Sequence, residues 1–550
     1  MFRSLPWLAA AVIAGGALSG CGEPQSAQDP ITQISADLHT HIAKLASDDF
    51  EGRAPATRGE ELTIGYLAEQ FSKLGLKPGN GTSWFQKVPV VEMVHEPTPM
   101  QISGEGFSQT LQYGEDMMTF TQRQSDTAAL EESELVFVGY GVVAPEYDWN
   151  DYAGIDMAGK TAVILVNDPG YATQDAELFN GNAMTYYGRW TYKFEEAARQ
   201  GAAGAILIHE DAAAGYPWAV VSGSWSGAQI SLKSEDGNPD RAAVESWITQ
   251  DAAKALFAGA GLDYAALLES AKSNSFEPQP MGLKASVSLK NTLRTSESNN
   301  VIAKIEGSER PEEAVIFTAH WDHIGIKPGA EGEDHIFNGA VDNATGTAGL
   351  LAIARQLKEA EPARSILFVA VTAEESGLLG SKYYAENPVI PLETTVGGVN
   401  FDAMSTYGKT RDIMVVGHGN SELEKLLDAQ AQKYNRYTKP AAGAEKGYFY
   451  RSDHFSLAKK GVPMLYFKSG TETTEHDHEW AEAQAADYGS RRYHKPADEY
   501  DPNWDLSGAA SDLFIGAQIA LELANNDAWP NWYPGNEFRA IRDASEDARK

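Results

Sequence analysis

The second half of the chain carries imidazoles and carboxylates at the points where apolar segments end. The candidate residues for chemistry are His320, Asp322, Asp342, Glu374, Glu375, Asp402 and His494. Singly, each has an ordinary alternative, such as an N-cap role for Asp342 at a helix start. Together, they supply two imidazoles and several carboxylates, which are nitrogen and oxygen ligands that zinc accepts. Two adjacent ions would need one bridging carboxylate and an open position for water. The pattern therefore predicts a metal centre.

These residues must be positioned by an alternating pattern of strands and helices that begins near residue 298. Predicted strands are Asn300–Ile305, Ala314–His320, Ser365–Thr372, Thr395–Asp402, Asp412–Val416 and Pro463–Phe467. Predicted helices are Thr345–Ala360, Gly377–Glu386, Ser421–Tyr434 and Ser507–Asn525. Almost continuous apolar strands such as SILFVAV indicate a sheet that is covered on both faces. We therefore expect an α/β fold with a mixed, mostly parallel sheet and helices on both faces. Sites in such sheets form at the carboxyl ends of the strands.

The rest of the chain divides into three segments that differ in their predicted secondary structure and composition. Residues 35–96 are predicted to be an N-terminal helical part of the domain that continues through residues 298–525. Between them, residues 97–297 change to short apolar strands and turn-rich stretches, which indicates an inserted β-rich domain. Residues 526–550 form a tail rich in tryptophan, proline and charge, for which no structure is predicted.

The N-terminus has the features of an export signal. Residues 1–20 combine Arg3, a short apolar stretch and small residues before Cys21, the single cysteine of the chain. A plain signal peptide is the alternative, but Leu-Ser-Gly-Cys resembles the bacterial lipobox, in which the cysteine receives a lipid. Residues 21–34 would then be a polar tether. We expect a protein of the bacterial cell envelope, lipid-anchored through Cys21, with its soluble body in the periplasm or secreted.

Composition excludes several classes of function. The 550 residues include 44 basic and 77 acidic side chains, which gives a net charge of −33. Nucleic acids and anionic lipid surfaces are not expected partners, because both favour clustered lysine and arginine. A single cysteine excludes an internal disulfide and a cysteine-based zinc site. Membrane contact is therefore expected only through the N-terminal lipid.

Three other motifs are interpreted as structural. Residues 154–161 match the P-loop pattern, but a polar segment precedes them and a strand-like segment follows, so nucleotide binding is not expected. His39 and His41 do not share a helix face and are interpreted as packing or surface residues. His476 and His478 lie in an acidic loop, where a solvated charge cluster is favoured over a weak metal site.

The spaced motifs resemble those of the M28 family of dizinc peptidases. They are H-x-D at 320, G-x-x-D-N-x-x-G at 339, E-E-S-G-L-L-G-S at 374, N-F-D at 400, S-D-H at 452 and Y-H-x-x-x-D-E at 493. The resemblance covers about residues 298–525 and includes DFEGR at 49–53. The inserted region, with VGYGV and RQGAAGAILIH, resembles a protease-associated (PA) domain.

The resemblance implies a role for each candidate residue. His320 and Asp402 would be terminal ligands of separate zinc ions, and Asp342 would bridge the two ions. Glu375 and His494 would complete the ligand set, with their pairing to individual ions left open. The remaining roles would be Glu374 as general base, Asp322 as the residue that orients His320, Tyr493 as a stabiliser of the oxyanion, and His454 as a structural residue.

The resemblance also implies the activity, which would be removal of N-terminal residues from peptides by a metallo-aminopeptidase with two Zn²⁺ ions. Alternatives are another dizinc carboxypeptidase or dipeptidase, a glutaminyl cyclase with one zinc, and a binding ectodomain without activity. The presence of all five ligand positions and of Glu374 disfavours the last. Because fewer than 30 residues follow the last predicted helix, we expect a monomer rather than a dimer built by a C-terminal domain.

Overall fold

The computed structural model describes residues 29–329 and 332–549. The predicted signal peptide, Cys21 and the tether up to residue 28 lie outside the described residues. Among the helices that are described, none is long and apolar enough to cross a membrane.

Strands are distributed along the whole described chain. In chain order they are β1 (Lys77–Pro78), β2 (Phe85–Pro97), β3 (Met100–Gly104), β4 (Phe107–Leu111), β5 (Met117–Phe120), β6 (Thr127–Phe137), β7 (Val143–Ala144), β8 (Trp149–Asn150), β9 (Thr161–Leu165), β10 (Gly204–His209), β11 (Ala228–Leu232), β12 (Val244–Thr249), β13 (Gln279–Ile305), β14 (Arg310–His320), β15 (Gly325–Ile326), β16 (Ile336–Phe337), β17 (Arg364–Val371), β18 (Thr395–Asn400), β19 (Asp412–Val415), β20 (Tyr437–Pro440) and β21 (Met464–Ser469).

Helices flank the strands in both parts of the chain. In chain order they are α1 (Pro30–Leu45), α2 (Arg58–Lys73), α3 (Pro169–Thr173), α4 (Trp190–Arg199), α5 (Asp211–Ala214), α6 (Trp218–Ser224), α7 (Gln250–Gly259), α8 (Tyr264–Ser270), α9 (Thr345–Leu357), α10 (Leu379–Glu386), α11 (Leu423–Lys433), α12 (His454–Ala458), α13 (His478–Asp487), α14 (Ser507–Asn525) and α15 (Arg539–Ala544).

The sheet that carries the candidate residues has the strand order β1-β13-β17-β14-β18-β21-β19-β20. Its central strands β17, β14, β18 and β21 are parallel, whereas β13 and β19 join them in antiparallel fashion. This is the mixed, mostly parallel sheet that the apolar strand pattern predicted. The predicted strands and helices are all present and most of their ends are shifted by a few residues at most, but the strand predicted to begin at Asn300 begins at Gln279 as part of the long β13.

Helices cover both faces of this sheet because side chains alternate along each strand. On β14, Val315, Phe317 and Ala319 belong to the core that contains α1, α9 and α14. The intervening residues Ala314 and Ile316 belong to the core on the other face, which includes residues of α10 and α12. The prediction of helices on both faces is confirmed.

The N-terminal boundary was predicted wrongly. The first helix begins at Pro30, so the last residues of the predicted tether are helical. Asp29 caps this helix, since its carboxylate accepts a hydrogen bond from Thr32 N, and proline at the first helical position suits a helix start.

The inserted region is connected to the sheet by a long antiparallel ribbon. Strands β2 and β13 pair from Phe85 with Val301 to Pro97 with Leu289. Beyond the ribbon, two further apolar cores form around the parallel strands β9, β10 and β12, with helices such as α4 and α7 packed on them. An inserted β-rich body with its own cores is thus present, and its identity as a PA domain stays a prediction.

The C-terminal tail is part of the fold, which the sequence analysis did not predict. Trp532 is fully buried, and its indole N–H donates to Gly461 O. Arg542 is also buried and donates to the carbonyls of Thr395 and Val396 at the start of β18. The tail therefore supports a strand that leads to the candidate site.

Candidate metal centre

Three parallel strands bring the candidate residues to one edge of the sheet. His320 is the last residue of β14 and pairs in register with Val371, the last residue of β17. Glu374 and Glu375 follow β17 after two residues, and Asp402 follows β18 after one. The carboxyl ends of the strands therefore form the site, as expected for an open α/β sheet.

The loop before α9 carries Asp342 into the same site. Asp498 is fully buried, and its carboxylate accepts hydrogen bonds from Val341 N at 3.0 Å and Asp342 N at 3.1 Å. Helix α9 lies close to the sheet because Gly346 has no side chain, since a Cβ there would stand 2.3 Å from Phe401 O. These contacts fix Asp342 opposite the strand ends.

The buried side chain of Arg53 connects the loops on either side of the site by hydrogen bonds. It is 1% exposed, and its guanidinium donates to the carbonyls of Leu45, Trp321, Asn338 and Gly339 at 2.6–2.9 Å. Burial lowers the pKa of Arg53 to about 10, and the nearby carboxylates oppose this change. One buried cation thus connects the segments before and after the H-x-D motif.

Distances divide the donor atoms into two groups that share Asp342. His320 Nε2 lies 3.2 Å from Asp342 Oδ1 and 3.4 Å from Asp402 Oδ1. His494 Nε2 lies 3.3 Å from Asp342 Oδ2 and 2.9 Å from Glu375 Oε2. The two oxygens of Asp342 therefore face two different imidazoles, which is the arrangement of a bridging carboxylate.

This grouping corrects one expectation and resolves another. His320 and Asp402 were expected on separate ions, but their donor atoms lie together in one group. The pairing of Glu375 was open, and the structure puts Glu375 beside His494. The motif order along the chain did not determine these pairs, because they depend on how three strand ends and a distant loop meet.

The donor set fits zinc. Two donors bound to zinc at about 2.0–2.1 Å in tetrahedral geometry stand about 3.3 Å apart. The separations of 3.2, 3.3 and 3.4 Å between imidazole nitrogen and carboxylate oxygen agree with that spacing. His320 Nε2 is also buried without a hydrogen-bond partner in the described residues, so it is available to a cation.

Charges in the site are strongly coupled. Burial alone would lower the pKa of His320, but Glu374, Asp322, Asp342 and Asp402 together raise it well above its usual value. Burial is likewise outweighed at Glu375, where His323 and His494 help to lower the pKa to about 2. A cavity with this many carboxylates favours cations, whether imidazolium or metal.

Glu374 lies farther from His320 than Asp342 and Asp402 do. Its Oε2 is 4.0 Å from His320 Nε2, farther than the oxygens of Asp342 and Asp402, although Glu374, His320 and Asp402 are close enough to meet around one ion. Burial raises the pKa of Glu374 well above its usual range, and the carboxylates of Glu375, Asp453 and Asp402 add to the rise. This side chain is suited to hold a proton.

Asp322 acts differently from the expectation. The Nδ1 atom of His320 lies 3.1 Å from the main-chain carbonyl of Asp322, whereas the Asp322 carboxylate is 3.7 Å away. The carboxylate instead accepts hydrogen bonds from Glu374 N at 3.1 Å and Glu375 N at 3.4 Å. It thus holds the turn with the two glutamates, and the carbonyl orients the imidazole.

Asp402 is held by a chain of polar side chains. Ser452 Oγ donates to Asp402 Oδ2 at 2.7 Å, and Asn400 Nδ2 donates to Ser452 Oγ at 2.7 Å. Thr318 Oγ1 then donates to Asn400 Oδ1 at 2.7 Å. The S-D-H segment therefore reaches the site through its serine.

Tyr493 and His494 lie at the open side of the site. The Tyr493 ring stacks on the His494 ring with centroids 3.9 Å apart, and Tyr493 is 45% exposed. Burial of its hydroxyl region and nearby carboxylates raise the pKa of Tyr493, so the phenol keeps its proton at neutral pH.

His323 was missed by the sequence analysis. It is 1% exposed, and its Nδ1 lies 2.5 Å from Glu375 Oε1. His323, Asp342 and Glu375 form a second cluster of potential ligands in the described residues. Its position one residue after the H-x-D motif was the available signal.

His454 belongs to the packing rather than to the donor groups. It is fully buried between the rings of Phe449 and Tyr466, at centroid distances of 4.6 and 5.2 Å. Burial lowers its pKa to about 3. His454 is therefore an uncharged core residue, as the sequence analysis expected.

The rejected motifs have structural roles. The P-loop-like segment ends in strand β9 rather than a helix. His39 and His41 hydrogen-bond the hydroxyls of Tyr500 and Tyr66. His476 stacks on Trp480, and His478 forms an exposed ion pair with Glu482.

Two arginines, Arg189 and Arg451, have no carboxylate partner in the described residues and influence each other electrostatically. Arg189 comes from the inserted region and is 8% exposed, and within the described residues its side chain has no hydrogen bond or ion pair. Burial and the charge of Arg451 lower its pKa to about 10. Arg451 precedes Ser452, and its guanidinium lies 5.3 Å from the ring centre of Tyr448 and 5.9 Å from that of Tyr216.

Comparison with known proteins finds a similarity to one peptidase family. Residues 300–517 match the model of peptidase family M28. The mouse protein Aminopeptidase NAALADL1 is 36% identical over 137 residues, which are 23% of this chain and 17% of that protein. Aminopeptidase YwaD of Bacillus subtilis is 26% identical over 211 residues, which are 38% of this chain and 41% of that protein. The chain spans less than half the length of these curated relatives.

Among solved structures, an aminopeptidase from Aneurinibacillus sp. strain AM-1 has a TM-score of 0.45 and 19% sequence identity. That alignment covers 90% of this chain and 95% of the solved chain. The sheet and its donor groups define an α/β domain with a candidate metal centre. In its sequence, the segment 300–517 of this domain is similar to peptidase family M28.

Proposed function

We propose that the M28 domain is a zinc peptidase whose centre holds two ions. His320 and Asp402 would bind one ion, Glu375 and His494 would bind the other, and Asp342 would bridge them. The observation that carries this proposal is the division of the Asp342 oxygens between His320 Nε2 and His494 Nε2, at 3.2 and 3.3 Å. When bound, zinc ions lower the pKa of a water molecule and polarise the substrate carbonyl.

Glu374 is proposed as the general base. Its carboxylate stands at the edge of the donor groups and outside the shortest contacts, where it can accept a proton and return it to the leaving amine. Asp322 supports this role because it holds the main-chain N–H groups of Glu374 and Glu375. The Tyr493 phenol, which remains protonated, would donate a hydrogen bond to the oxygen that becomes negative.

The proposed substrates are peptides with a free N-terminus. The relatives described as aminopeptidases support this choice, and the carboxylates at the centre would attract a protonated α-amine. The test is zinc content per chain together with stepwise release of N-terminal residues from a peptide panel. The variant Glu374→Gln is the control. It should still bind zinc, and its turnover number should be about 100- to 10,000-fold lower than that of wild type. Turnover within a few-fold of wild type would contradict the role of Glu374.

A carboxypeptidase or dipeptidase is the second candidate, and the arginine pair is the observation that favours it. Arg189 and Arg451 could bind a terminal carboxylate, because guanidinium groups pair with carboxylates and these two contact aromatic rings but no carboxylate in the described residues. Peptides with acetylated N-termini and peptides with amidated C-termini separate the candidates. Loss of cleavage on acetylation supports the aminopeptidase, and loss on amidation supports the second candidate.

A matched pair of variants sharpens that test. Arg451→Met should raise KM for substrates with a free C-terminus if the arginine pair binds the carboxylate. Arg294→Met removes one exposed charge on β13 and should leave KM unchanged. Equal effects of both variants would indicate only a general effect of charge. Two zinc ions per chain would disfavour a glutaminyl cyclase, and cleavage of any peptide would exclude a binding ectodomain.

We also propose the cellular setting. The signal-like N-terminus with Cys21 supports a lipid-anchored envelope protein with its body in the periplasm, and labelling with a lipid precursor in wild type and Cys21→Ala would test this. A monomer is proposed, which light scattering would check. The inserted region is proposed to be a PA domain that contributes Arg189 to the substrate side of the cleft.

A further inference from the structure

A third imidazole, His323, lies beside the proposed centre and matches no ligand position. It follows His320 and Asp322 in the same loop, and its side chain is buried against Gly339. A Cβ on Gly339 would stand 2.4 Å from His323 Cγ, and the positive φ of 52° at Gly339 also favours glycine. The backbone is thus shaped to admit this ring next to Glu375.

The distance from His323 to Glu375 is shorter than the distances between the other imidazoles and their carboxylates. Ligands of one tetrahedral zinc ion stand about 3.3 Å apart, and the imidazoles of His320 and His494 keep 2.9–3.4 Å from their carboxylates. His323 Nδ1 is only 2.5 Å from Glu375 Oε1, which is hydrogen-bond distance, although the angles in this structure are not those of an aligned hydrogen bond. The other oxygen, Glu375 Oε2, faces His494 Nε2.

We propose that His323 is a positioning residue that donates a hydrogen bond from Nδ1 to Glu375 Oε1, so that Glu375 offers one oxygen, Oε2, to the ion it shares with His494. This inference rests on the proposed metal centre but not on peptide cleavage. In most metal sites a carboxylate orients a ligating histidine, and here a histidine orients a ligating carboxylate.

The test compares two variants of similar size in the full chain. His323→Asn places an amide N–H near the position of Nδ1, whereas His323→Leu removes the donor. Zinc affinity is measured for each ion by titration against a competing chelator. We expect His323→Leu to weaken one of the two ions about 10- to 100-fold and His323→Asn to stay within a few-fold of wild type. Equal retention of zinc by wild type and His323→Leu would overturn the proposal.

A double-mutant cycle distinguishes positioning from direct ligation. If His323 acts through Glu375, His323→Leu has no further effect on zinc affinity in a Glu375→Ala background. A loss of the same size in both backgrounds would mean that His323 binds the ion itself, and it would overturn the proposed role. Circular dichroism of the metal-free proteins controls for folding, and His323→Ala replaces the leucine variant if that variant does not fold. A wild-type chain that binds no zinc would contradict the metal centre itself.

Discussion

Acidification should destabilise the protein through His454, which is buried without a hydrogen-bond partner for either ring nitrogen in the described residues. Burial lowers its pKa to about 3, against about 6.5 in an unfolded chain. Between these values the unfolded state binds the proton and the folded state does not, so stability falls as pH falls. From pH 7 to pH 5 the loss from this one residue is about 2 kcal/mol.

The assay is urea unfolding of the metal-free protein at pH 7 and pH 5, for wild type and His454→Asn. The asparagine adds a constant cost but does not titrate in this range, so the difference between the two proteins isolates the histidine. Carboxylates of the metal centre titrate equally in both proteins and cancel. The stability difference between variant and wild type should shift by about 2 kcal/mol in favour of the variant at pH 5. A difference that is independent of pH would refute the neutral, buried state of His454.

Three further changes test the positions around the sheet. Asp322→Asn should weaken zinc binding about 10- to 100-fold in a chelator titration, because one amide oxygen replaces two acceptors for the glutamate turn. Gly398→Ala should destabilise by about 1–3 kcal/mol in urea unfolding, because its Cβ would stand 2.4 Å from a carbonyl oxygen, whereas Gly65→Ala in open space should stabilise by about 0.5–1 kcal/mol. Arg436→Met should cost about 3–5 kcal/mol by leaving buried Asp512 without its cation, and a change under 1 kcal/mol would contradict this.

Much of the sheet that carries the candidate site was predictable because its strands are continuous apolar runs with clear ends. Strand β17 was predicted as Ser365–Thr372 and is Arg364–Val371, and α14 has the predicted limits. The donor residues could be found because they follow those strands directly. Residues whose role arises from tertiary contacts could not be found in this way. Trp532 is one example, since its burial against Gly461 has no local periodicity to indicate it.

The sequence could not predict which ligands lie together, because their pairing depends on the geometry of the folded sheet. His320 and Asp402 end neighbouring strands β14 and β18, and strand order is a property of the folded sheet. His494 reaches Glu375 from a segment more than 100 residues later. The proposed role of His323 could not be predicted from the sequence either, because it depends on the distance to Glu375 and on the backbone conformation of Gly339.

The buried charge at the centre bears on the proposal that two ions are bound rather than one. Asp342, Glu374, Glu375 and Asp402 would carry four negative charges when ionised, and their side chains are only 7–13% exposed. Two divalent ions balance four carboxylates, whereas one ion would leave two uncompensated charges in a site where isolated charges cost several kcal/mol each. A site with one zinc would therefore have to protonate a carboxylate or keep an imidazolium, and its metal affinity would change steeply with pH. Charge balance thus agrees with the proposed centre, in which Asp342 would bridge two ions and Glu374 would be free to exchange its proton.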